Sequence, residues 1–383
     1  MGIQLGKILH IQKGKKPQSQ STEALEGYLP YVDIKEFEKG IIDNYALTGK
    51  SLLCDDGDLL IVCDGSRSGL TGRAIKGVVG STLAKIYADG LTTEYLRYFI
   101  QSKYTLLNTQ KKGTGTPHLN AEILKSSIIT VPSLPEQDRI VTRIEELFSE
   151  LDKAVETLQT TKKQLAVYKH IVLKKAFEGN WNYYKAEDLC YFITKGTTPK
   201  KNELLKNGDI PFIKVYNLTF DTSLDFSIDP TFISIKTHNN FLSRSIVYPN
   251  DVLMNIVGPP MGKVSIVPNT YKEWNINQAI ARFRCNDKIN SKFLAYYLSS
   301  SPVVEKMKSQ SKATAGQFNL TLEICRSIEI PLPPLKVQEK IVKEIELQLS
   351  ARDSIQKAID AALSQTEAMR QSILKKAFEG DLS

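Results

Sequence analysis

The stretch VLKKAFEG at 172–179 recurs almost unchanged as ILKKAFEG at 373–380, an offset of 201 residues. The same offset aligns further residues upstream, namely Gln137 with Gln338, Ile144-Glu145 with Ile345-Glu346, Pro132 with Pro333 and Leu119 with Leu320. An internal repeat of this length decides the architecture before any single motif does. The 383-residue chain is therefore predicted to be a tandem duplication.

Weaker matches extend the repeat toward the N-terminus, with small gaps. GDLLIVCDG (57–65) resembles NDVLMNIVG (250–258), EYLRYFIQS (94–102) resembles KFLAYYLSS (292–300), and KGKKP (13–17) resembles KGTTP (195–199). The boundaries that follow are an α/β domain at 1–133, a long helix at 134–179, a second α/β domain at 180–333 and a second long helix at 334–383.

Both helical segments carry apolar residues at alternating steps of three and four, which is the pattern of a coiled-coil seam. Pro135 and Pro334 mark the helix starts, and glycine follows the Lys-Lys pair near each end. The predicted seam consists of Ile140, Ile144, Leu147, Leu151, Leu158, Leu165, Ile341, Ile345, Ile355, Ile359, Met369 and Ile373. The alternative is that each seam packs only on its own domain, and these residues do not decide between parallel and antiparallel pairing.

The two remaining segments read as mixed α/β domains. Short β-rich runs are broken by glycine, proline and asparagine turns. These runs are YVDI (31–34), LLIVC (59–63), FIKVY (212–216), SIVY (245–248) and KVSIV (263–267). Helices are predicted near 92–104 and 290–308.

Composition narrows the class of protein. Hydrophobic residues make up 42% and charged residues 24% of the chain, which is typical of globular proteins. No apolar run approaches the ~18 residues that a bilayer span requires. We therefore expect a cytoplasmic protein that does not bind membranes, and its five scattered cysteines are expected to be reduced.

The positive charge is confined to the two α/β segments. Of the net +8, residues 1–133 carry +3 and residues 180–333 carry +5, whereas both helical segments are neutral. Basic globular domains suggest an acidic partner such as nucleic acid.

The residues give no support for a catalytic or metal site. TGKS (48–51) lacks the upstream glycine of a phosphate-binding loop, and GPPM (258–261) lacks the polar and aromatic neighbours of an adenine methyltransferase motif. The four histidines are isolated, and no Cys/His pair has metal-ligand spacing. Solvated or packing roles are the expected ones for His118 and His170.

Lysine and arginine in glycine or threonine turns suit phosphate contacts, and arginine, asparagine and glutamine suit base edges. For any single one of these residues, an ordinary solvated surface role is the alternative. The phosphate candidates are Lys13, Lys15, Lys16, Arg67, Arg73, Lys111, Lys112, Lys195, Lys200, Lys263 and Lys312, and Lys214 is a further DNA-binding candidate. The base-reading candidates are Asn217, Arg244, Asn255, Arg282, Arg284 and Gln317.

The two long helices start at LPEQDRIVTRI and PLPPLKVQEKIVKEI, and both end in LKKAFEG. With these paired motifs, the whole chain resembles the specificity subunit of type I restriction-modification systems. The resemblance implies two target recognition domains, each reading one half of a bipartite DNA site, and an antiparallel coiled coil that sets the gap. It also implies a chain without catalytic activity.

The resemblance further implies partners. These are double-stranded DNA, two methyltransferase subunits that use S-adenosylmethionine, and restriction/translocase subunits that use ATP and Mg²⁺, so this chain itself is expected to bind no cofactor. Lys174, Phe177, Lys375 and Phe378 in the repeated helix ends are candidate docking residues, and equal helix capping is the alternative explanation for that repeat.

Two other classes compete with this interpretation. A free-standing sequence-specific DNA-binding regulator would share the charge distribution and the symmetry, but would work without methyltransferase subunits. A structural coiled-coil protein would explain the helices but not the positive charge of the two globular segments.

Overall fold

A computed structural model describes residues 2–111, 117–314 and 317–380. The chain forms two compact units. Unit 1 comprises residues 1–159 with 360–383, and unit 2 comprises residues 160–359. Each unit thus contains one α/β region, the first part of the helix that follows it, and the last part of the other long helix.

The described residues of the first α/β region form three sheets. Its strands are β1 (Gly2–Gln4), β2 (Leu9–Lys13), β3 (Gln20–Ser21), β4 (Tyr28–Val32), β5 (Tyr45–Leu47), β6 (Leu53–Cys54), β7 (Leu59–Val62), β8 (Thr71–Arg73), β9 (Gly77–Val79), β10 (Leu83–Ala88) and β11 (Ile128–Thr130). The sheet orders are β2-β10-β7-β8, β3-β5-β4-β9-β6 and β1-β11, and among the described residues only the β4 and β9 pair is parallel.

The helices of this region are short. They are α1 (Ile34–Lys39), α2 (Thr93–Ser102), α3 (Tyr104–Thr109) and α4 (Ala121–Ser126), followed by the long α5 (Leu134–Ala176). The predicted helix near 92–104 is confirmed, with Thr92 as its N-cap. The predicted strand at 31–34 was wrong at its end: the Asp33 carboxylate accepts hydrogen bonds from two backbone N–H groups and caps α1 instead.

The second α/β region has strands β12 (Tyr183–Lys185), β13 (Cys190–Lys195), β14 (Ile210–Ile213), β15 (Phe232–Ile233), β16 (Ile246–Val247), β17 (Val252–Asn255), β18 (Val264–Ile266), β19 (Trp274–Ile276), β20 (Ile280–Cys285), β21 (Lys312–Thr314), β22 (Gln317–Asn319) and β23 (Glu329–Pro331). The sheet order β13-β20-β17-β18 matches β2-β10-β7-β8 of unit 1. The parallel pair β14 and β19 likewise matches β4 and β9. The duplication inferred from the sequence is therefore visible in the strand topology.

The helices of the second region are α6 (Ala186–Leu189), α7 (Ile235–Asn239), α8 (Ser291–Leu298), α9 (Ser301–Gln310) and α10 (Leu322–Arg326), followed by α11 (Leu335–Glu379). The predicted helix at 290–308 is confirmed as two helices, because Asn290 caps α8 and a proline in the first turn starts α9. With 43 and 45 residues, α5 and α11 are each about 65 Å long.

The two long helices run antiparallel within each unit. In unit 2, the Tyr168 hydroxyl donates to Gln348 Oε1 at 3.4 Å, while Arg352 Nε reaches the Leu165 carbonyl at 3.4 Å. Residue numbers therefore rise on one helix as they fall on the other. In unit 1, Arg370 lies 4.8 Å above the Phe148 ring and forms an ion pair with Asp152. The antiparallel arrangement implied by the family resemblance is confirmed.

The buried stripe of the helices differs in part from the predicted seam. Ile144, Leu151, Leu165, Ile345 and Ile359 are buried, and Ile140, Leu147, Leu158, Ile341 and Ile373 are half-buried. However, Ile355 is 48% and Met369 44% exposed, so neither belongs to the buried stripe. A helix with 3.6 residues per turn drifts by ~20° per heptad relative to a strict seven-residue pattern, which moves such positions outward.

One glutamine at the start of each long helix fastens the helix to the α/β region. Gln137 is fully buried; its Nε2 donates to the Gly90 and Pro132 carbonyls, and its Oε1 accepts from Thr92 N at 2.8 Å. Thr92 is the residue that caps α2. The glutamine therefore connects the start of α5 to the start of α2.

Gln338 makes the same three contacts in unit 2. Its Nε2 donates to the carbonyls of Lys288 and Pro333, and its Oε1 accepts from the backbone N–H of Asn290, the α8 cap. The glutamine of the repeated helix start is thus a structural residue in both copies.

The helix ends are exchanged between the two copies of the repeat. Phe177, at the end of α5, lies in the core of unit 2 with ring centres 5.2 Å from those of Phe293 and Tyr297. Phe378, at the end of α11, packs in unit 1 at 5.1 Å from Tyr95 and 5.3 Å from Phe99. Each α/β region is therefore completed by the helix end of the other copy.

Two further observations concern predicted properties of the chain. All five cysteines are free thiols, as expected from their spacing. Among the described residues, no helix is both long enough and apolar enough to cross a membrane.

Candidate nucleic-acid interface

Several loops of unit 1 meet at one edge of the sheet β2-β10-β7-β8. Gly14, directly after β2, packs so tightly that a Cβ atom there would lie 2.2 Å from the Gly80 carbonyl oxygen. The backbone N–H of Cys63, directly after β7, donates to the Thr82 carbonyl at 2.8 Å. We call residues 13–17, 64–68, 80–82 and 117–119 loop face 1. Its first loop requires glycine because no side chain fits there.

A backbone bridge joins two of these loops. Leu119 N donates to the Cys63 carbonyl at 2.7 Å, and Gly65 N donates to the Pro117 carbonyl at 2.8 Å. Between these bonds, Asp64 and His118 form an isolated antiparallel β-bridge. Side chains at the bridge are therefore held by a rigid backbone.

The structure brings five of the predicted phosphate contacts of unit 1 onto or next to loop face 1. Lys13 Nζ lies 2.8 Å from Asp64 Oδ2, Arg67 pairs with Glu38, and Lys111 Nζ donates to the Ser66 carbonyl at 2.6 Å. Lys15 and Lys16 are exposed. Basic side chains on glycine-containing loops suit contact with phosphate groups.

One further predicted residue of unit 1 does not lie on this face. Arg73 Nε donates to Glu94 Oε1 at 2.7 Å, which ties β8 to α2. Burial alone would raise the pKa of Glu94, but the hydrogen bonds from Arg73 and Arg97 lower it below the ordinary value. Arg73 therefore has a structural partner. Lys112 lies outside the described residues.

Unit 2 repeats the same loop framework. A Cβ at Gly196 would lie 2.2 Å from the carbonyl oxygens of both Ile276 and Asn277. Leu320 N donates to the Ile256 carbonyl at 2.9 Å, and Val257 forms an isolated antiparallel bridge with Asn319. We call residues 195–200, 256–262, 277–279 and 319–320 loop face 2. It is the structural counterpart of loop face 1.

The predicted basic residues of unit 2 are spread more widely. Lys195 and Lys200 are exposed on loop face 2. Lys263 Nζ lies 5.9 Å from the centre of the Phe220 ring, and Lys214 Nζ lies 3.4 Å from Asp229 Oδ2. Arg244 is exposed on a short 3-10 turn. These five side chains remain candidates for contact with nucleic acid.

Two predicted base-reading asparagines are internal. Asn217 is 1% exposed, and its amide nitrogen donates to the carbonyls of Asp225 and Ile228. Asn255 is also 1% exposed; its Nδ2 donates to the Pro260 carbonyl, and its Oδ1 accepts from Lys263 N. Because both amides are used by the backbone, neither faces a ligand, and both are better described as loop-holding residues.

The two predicted arginines on β20 are also held by internal partners. Arg284 donates two hydrogen bonds to the Asp251 carboxylate, of 2.8 and 2.6 Å. Arg282 is 6% exposed and donates to Thr194 Oγ1 at 2.8 Å, and its burial lowers its pKa to about 10. Both guanidinium groups lie within 5 Å of the Phe192 ring centre. Their geometry is that of a packed ion-pair cluster.

Lys312 and Gln317 lie on β21 and β22, which pair as a two-stranded ribbon. The positions of their side chains are outside the described part of the structure.

The predicted docking residues divide into two pairs. Phe177 and Phe378 are used for packing inside their units, as described above. Lys174 and Lys375 are exposed. The repeated helix ends therefore have a packing role that accounts for their phenylalanines, and the two lysines remain candidates for a partner.

His118 was not among the predicted site residues, although the structure places it on loop face 1. Its Nδ1 lies 2.7 Å from Asp64 Oδ1 in the middle of loop face 1, and its side chain is 53% exposed. Burial alone would raise the pKa of Asp64, but the hydrogen bonds from Lys13 and His118 lower it below its usual range. The sequence does pair this position with its counterpart in unit 2, because the offset of 201 aligns His118 with Asn319.

In the described ranges, no cluster of three or more His, Cys, Asp or Glu side chains could hold a metal ion.

The profile of the family described as "Type I restriction modification DNA specificity domain" matches residues 2–165 and 178–365. Among relatives, the type I restriction enzyme MjaVIII specificity subunit of Methanocaldococcus jannaschii is 26% identical, over 93% of this chain and 89% of its own length. The EcoBI specificity subunit of Escherichia coli is 23% identical, over 100% of this chain and 80% of its own length.

Two solved structures share the fold at 20% sequence identity. One, from work on "complex assembly and conformational transition of the type I R-M system", has a TM-score of 0.73 and is covered over 98% of its length, against 100% of this chain. The other, the HsdS subunit from Thermoanaerobacter tengcongensis, has a TM-score of 0.65, with 97% and 100% coverage. The predicted fold class is confirmed by this similarity.

The family profile covers both copies of the repeat, including their α/β regions and most of both long helices. The chain therefore belongs to the type I restriction-modification DNA specificity family, and its predicted role as a non-catalytic specificity subunit is confirmed.

Proposed function

We propose that each unit reads one half of a bipartite DNA site, with loop face 1 and loop face 2 as the contact surfaces. The observation that carries this proposal is the repetition of one loop framework in two units, each with exposed lysines. Two copies of one DNA-binding framework are suited to two half-sites of a divided target.

The loop faces supply the phosphate contacts in this proposal. Lys15, Lys16, Lys195 and Lys200 are exposed and have no ion-pair partner among the described residues. Each such contact with DNA releases condensed counterions, so affinity falls steeply with salt. Lys13 and Arg67 would have to exchange an internal carboxylate for a phosphate, which makes them weaker candidates.

The long helices would set the gap between the half-sites. Both α5 and α11 contribute to both units. Paired helices resist bending better than an unstructured linker does, so a fixed number of base pairs between the half-sites is expected. Inserting whole heptads into both helices together should lengthen that gap.

The partners are inferred from the family. Two methyltransferase subunits would dock on the chain, with the exposed Lys174 and Lys375 at equivalent places, and restriction/translocase subunits would join that complex. S-adenosylmethionine, ATP and Mg²⁺ would be bound by those other subunits.

The test is to co-express the chain with its methyltransferase subunit and to map methylated bases in host DNA by long-read sequencing. Methylation at one two-part motif with a fixed gap, absent without this chain, is the expected result. Exchange of residues 1–133 should change only one half of the motif. Unchanged methylation with the chain folded and expressed would contradict the proposal and favour the free-standing DNA-binding regulator.

A further inference from the structure

We propose that His118 and Asn319 are specificity-determining residues, each reading one base edge in the half-site of its own unit. This inference rests on the proposed function and adds to it the side chains that distinguish the two half-sites.

The two residues occupy the same place in the two frameworks. His118 bridges to Asp64, and Asn319 bridges to Val257. In both units the next residue after the bridge is a leucine, and its N–H donates to the carbonyl of the residue just before the bridge partner. The distances are 2.7 Å from Leu119 to Cys63 and 2.9 Å from Leu320 to Ile256. The backbone is therefore constant at this position, while the side chains differ.

His118 is fixed in one orientation. The Asp64 carboxylate accepts the Nδ1–H of the ring at 2.7 Å, and its other oxygen binds Lys13 Nζ at 2.8 Å. The Asp64 side chain is only 17% exposed, whereas the imidazole is 53% exposed. A carboxylate on Nδ1 selects the tautomer and leaves Nε2 available to a ligand. Nε2 makes no hydrogen bond to any described residue.

The chemistry of Nε2 selects a class of base. In the neutral ring with the proton on Nδ1, Nε2 is an acceptor. In the major groove the complementary donors are the exocyclic amino groups of adenine and cytosine. The half-site of unit 1 is therefore expected to carry adenine or cytosine at the position that His118 reads.

Asn319 offers different chemistry at the same place. Asn319 is exposed, and the side chain of its bridge partner Val257 has neither a charge nor a hydrogen-bonding group. An asparagine amide carries both a donor and an acceptor, which matches N7 and the N6 amino group of adenine. The half-site of unit 2 is therefore expected to carry adenine at that position. A rigid position with different side chains is suited to reading different bases.

The experiment uses the complex of this chain with its methyltransferase subunit and a duplex library in which each base of the methylated site is varied in turn. His118→Asn should change the base preference at one position of one half-site, with the original discrimination reduced about fivefold or more. Asp64→Val should weaken the same preference, because Asp64 is a positioning residue. Asn319→His should act on the other half-site alone.

His10→Asn is the matched control. His10 also pairs with an aspartate, Asp89, at 2.9 Å, but it stacks on Tyr87 at 4.5 Å and is not on loop face 1. This variant should keep every base preference. The unaltered half-site in each variant reports that the complex is folded.

Two results would overturn the inference. In one, His118→Asn keeps all base preferences; in the other, it weakens methylation equally at every position of both half-sites, as a purely structural residue would. Failure of the proposed function is distinguishable, because the unaltered complex would then show no bipartite preference at all.

Discussion

The two units share their framework and differ in the side chains placed on it. Both have the buried glutamine at the helix start, the glycine at the first loop, and the phenylalanine received from the helix end of the other copy. Their loop bridges carry Asp64 and His118 in unit 1 but Val257 and Asn319 in unit 2. The two copies have thus kept the residues that attach each α/β region to the helices, and differ in the side chains at the loop bridge.

A second difference lies in an acidic residue common to both units. Asp58 and Asp251 follow equivalent turns. Each forms an ion pair with a basic side chain on the neighbouring strand. The Asp58 and Lys85 side chains are both about a quarter exposed, whereas Asp251 is 3% exposed and held by Arg284 in a bidentate pair. The carboxylate of the pair is therefore partly solvated in one unit and buried in the other, whereas the two basic side chains are about equally exposed.

The largest effect is expected from shortening the exchanged phenylalanines. Phe177→Ala should cost about 4 kcal/mol of unfolding free energy, because it removes a buried ring from an aromatic cluster. Phe378→Ala should cost less, about 3 kcal/mol, because that ring is only partly buried. Urea unfolding of each variant measures both values. Lys174→Ala is the control and should stay within about 0.5 kcal/mol of the parent protein.

The second-largest loss of unfolding free energy is expected from breaking the ion pair between Asp251 and Arg284. Asp251→Asn leaves Arg284 without its carboxylate and should cost about 3 kcal/mol, whereas Asp58→Asn should cost about 1 kcal/mol because water replaces the lost partner. The same unfolding assay tests the difference. Equal losses for the two variants would mean that burial does not set the strength of this pair.

The two glutamines should behave alike. Gln137→Ala and Gln338→Ala each leave three backbone groups without their partner and should each cost about 2 kcal/mol. Hydrogen exchange should show the opening in α2 for the first variant and in α8 for the second. Protection lost uniformly over the whole chain in either case would contradict a local clamp.

The smallest expected effect is the pH dependence of stability that Asp64 contributes. Since the pKa of Asp64 is lowered in the folded protein, its stabilising contribution is complete above the unfolded value of about 3.9 and is lost as the pH falls through the folded value. The stability gap between the parent protein and Asp64→Asn, a few tenths of a kcal/mol, should therefore be present at pH 6 and should shrink below pH 4.

Val257→Asn is the control for this pH dependence. Position 257 has no acidic side chain. The stability difference between Val257→Asn and the parent protein should therefore be the same at pH 6 and at acid pH. A gap for Asp64→Asn that widens on acidification would contradict the assigned ion pair.

Much of the architecture could be predicted without coordinates. The repeat identified two equivalent halves, the periodicity identified α5 and α11, and the glycines of KGKKP and KGTTP marked equivalent loops. These features depend on neighbours close in sequence or on simple repetition. The prediction that Ile355 and Met369 lie in the buried seam was wrong, because a strict heptad does not follow the true helical period over 45 residues.

The binding residues could be predicted only in part. Lys13, Arg67 and Lys111 do converge on one face, but Asn217, Asn255 and Arg282 are internal. Residue type alone indicates which groups can contact DNA, not which ones the fold leaves exposed. His118 was set aside as an isolated histidine, since Asp64 lies 54 residues away in sequence.

The sequence by itself determined the duplication, the two long helices, the confinement of positive charge to the α/β regions and the family. These properties are carried by composition, period and local motifs. Only the tertiary structure decided that each helix end completes the α/β region of the other copy, and which polar side chains reach the loop faces. Both depend on packing between residues far apart in the chain, because burial is a property of the assembled core.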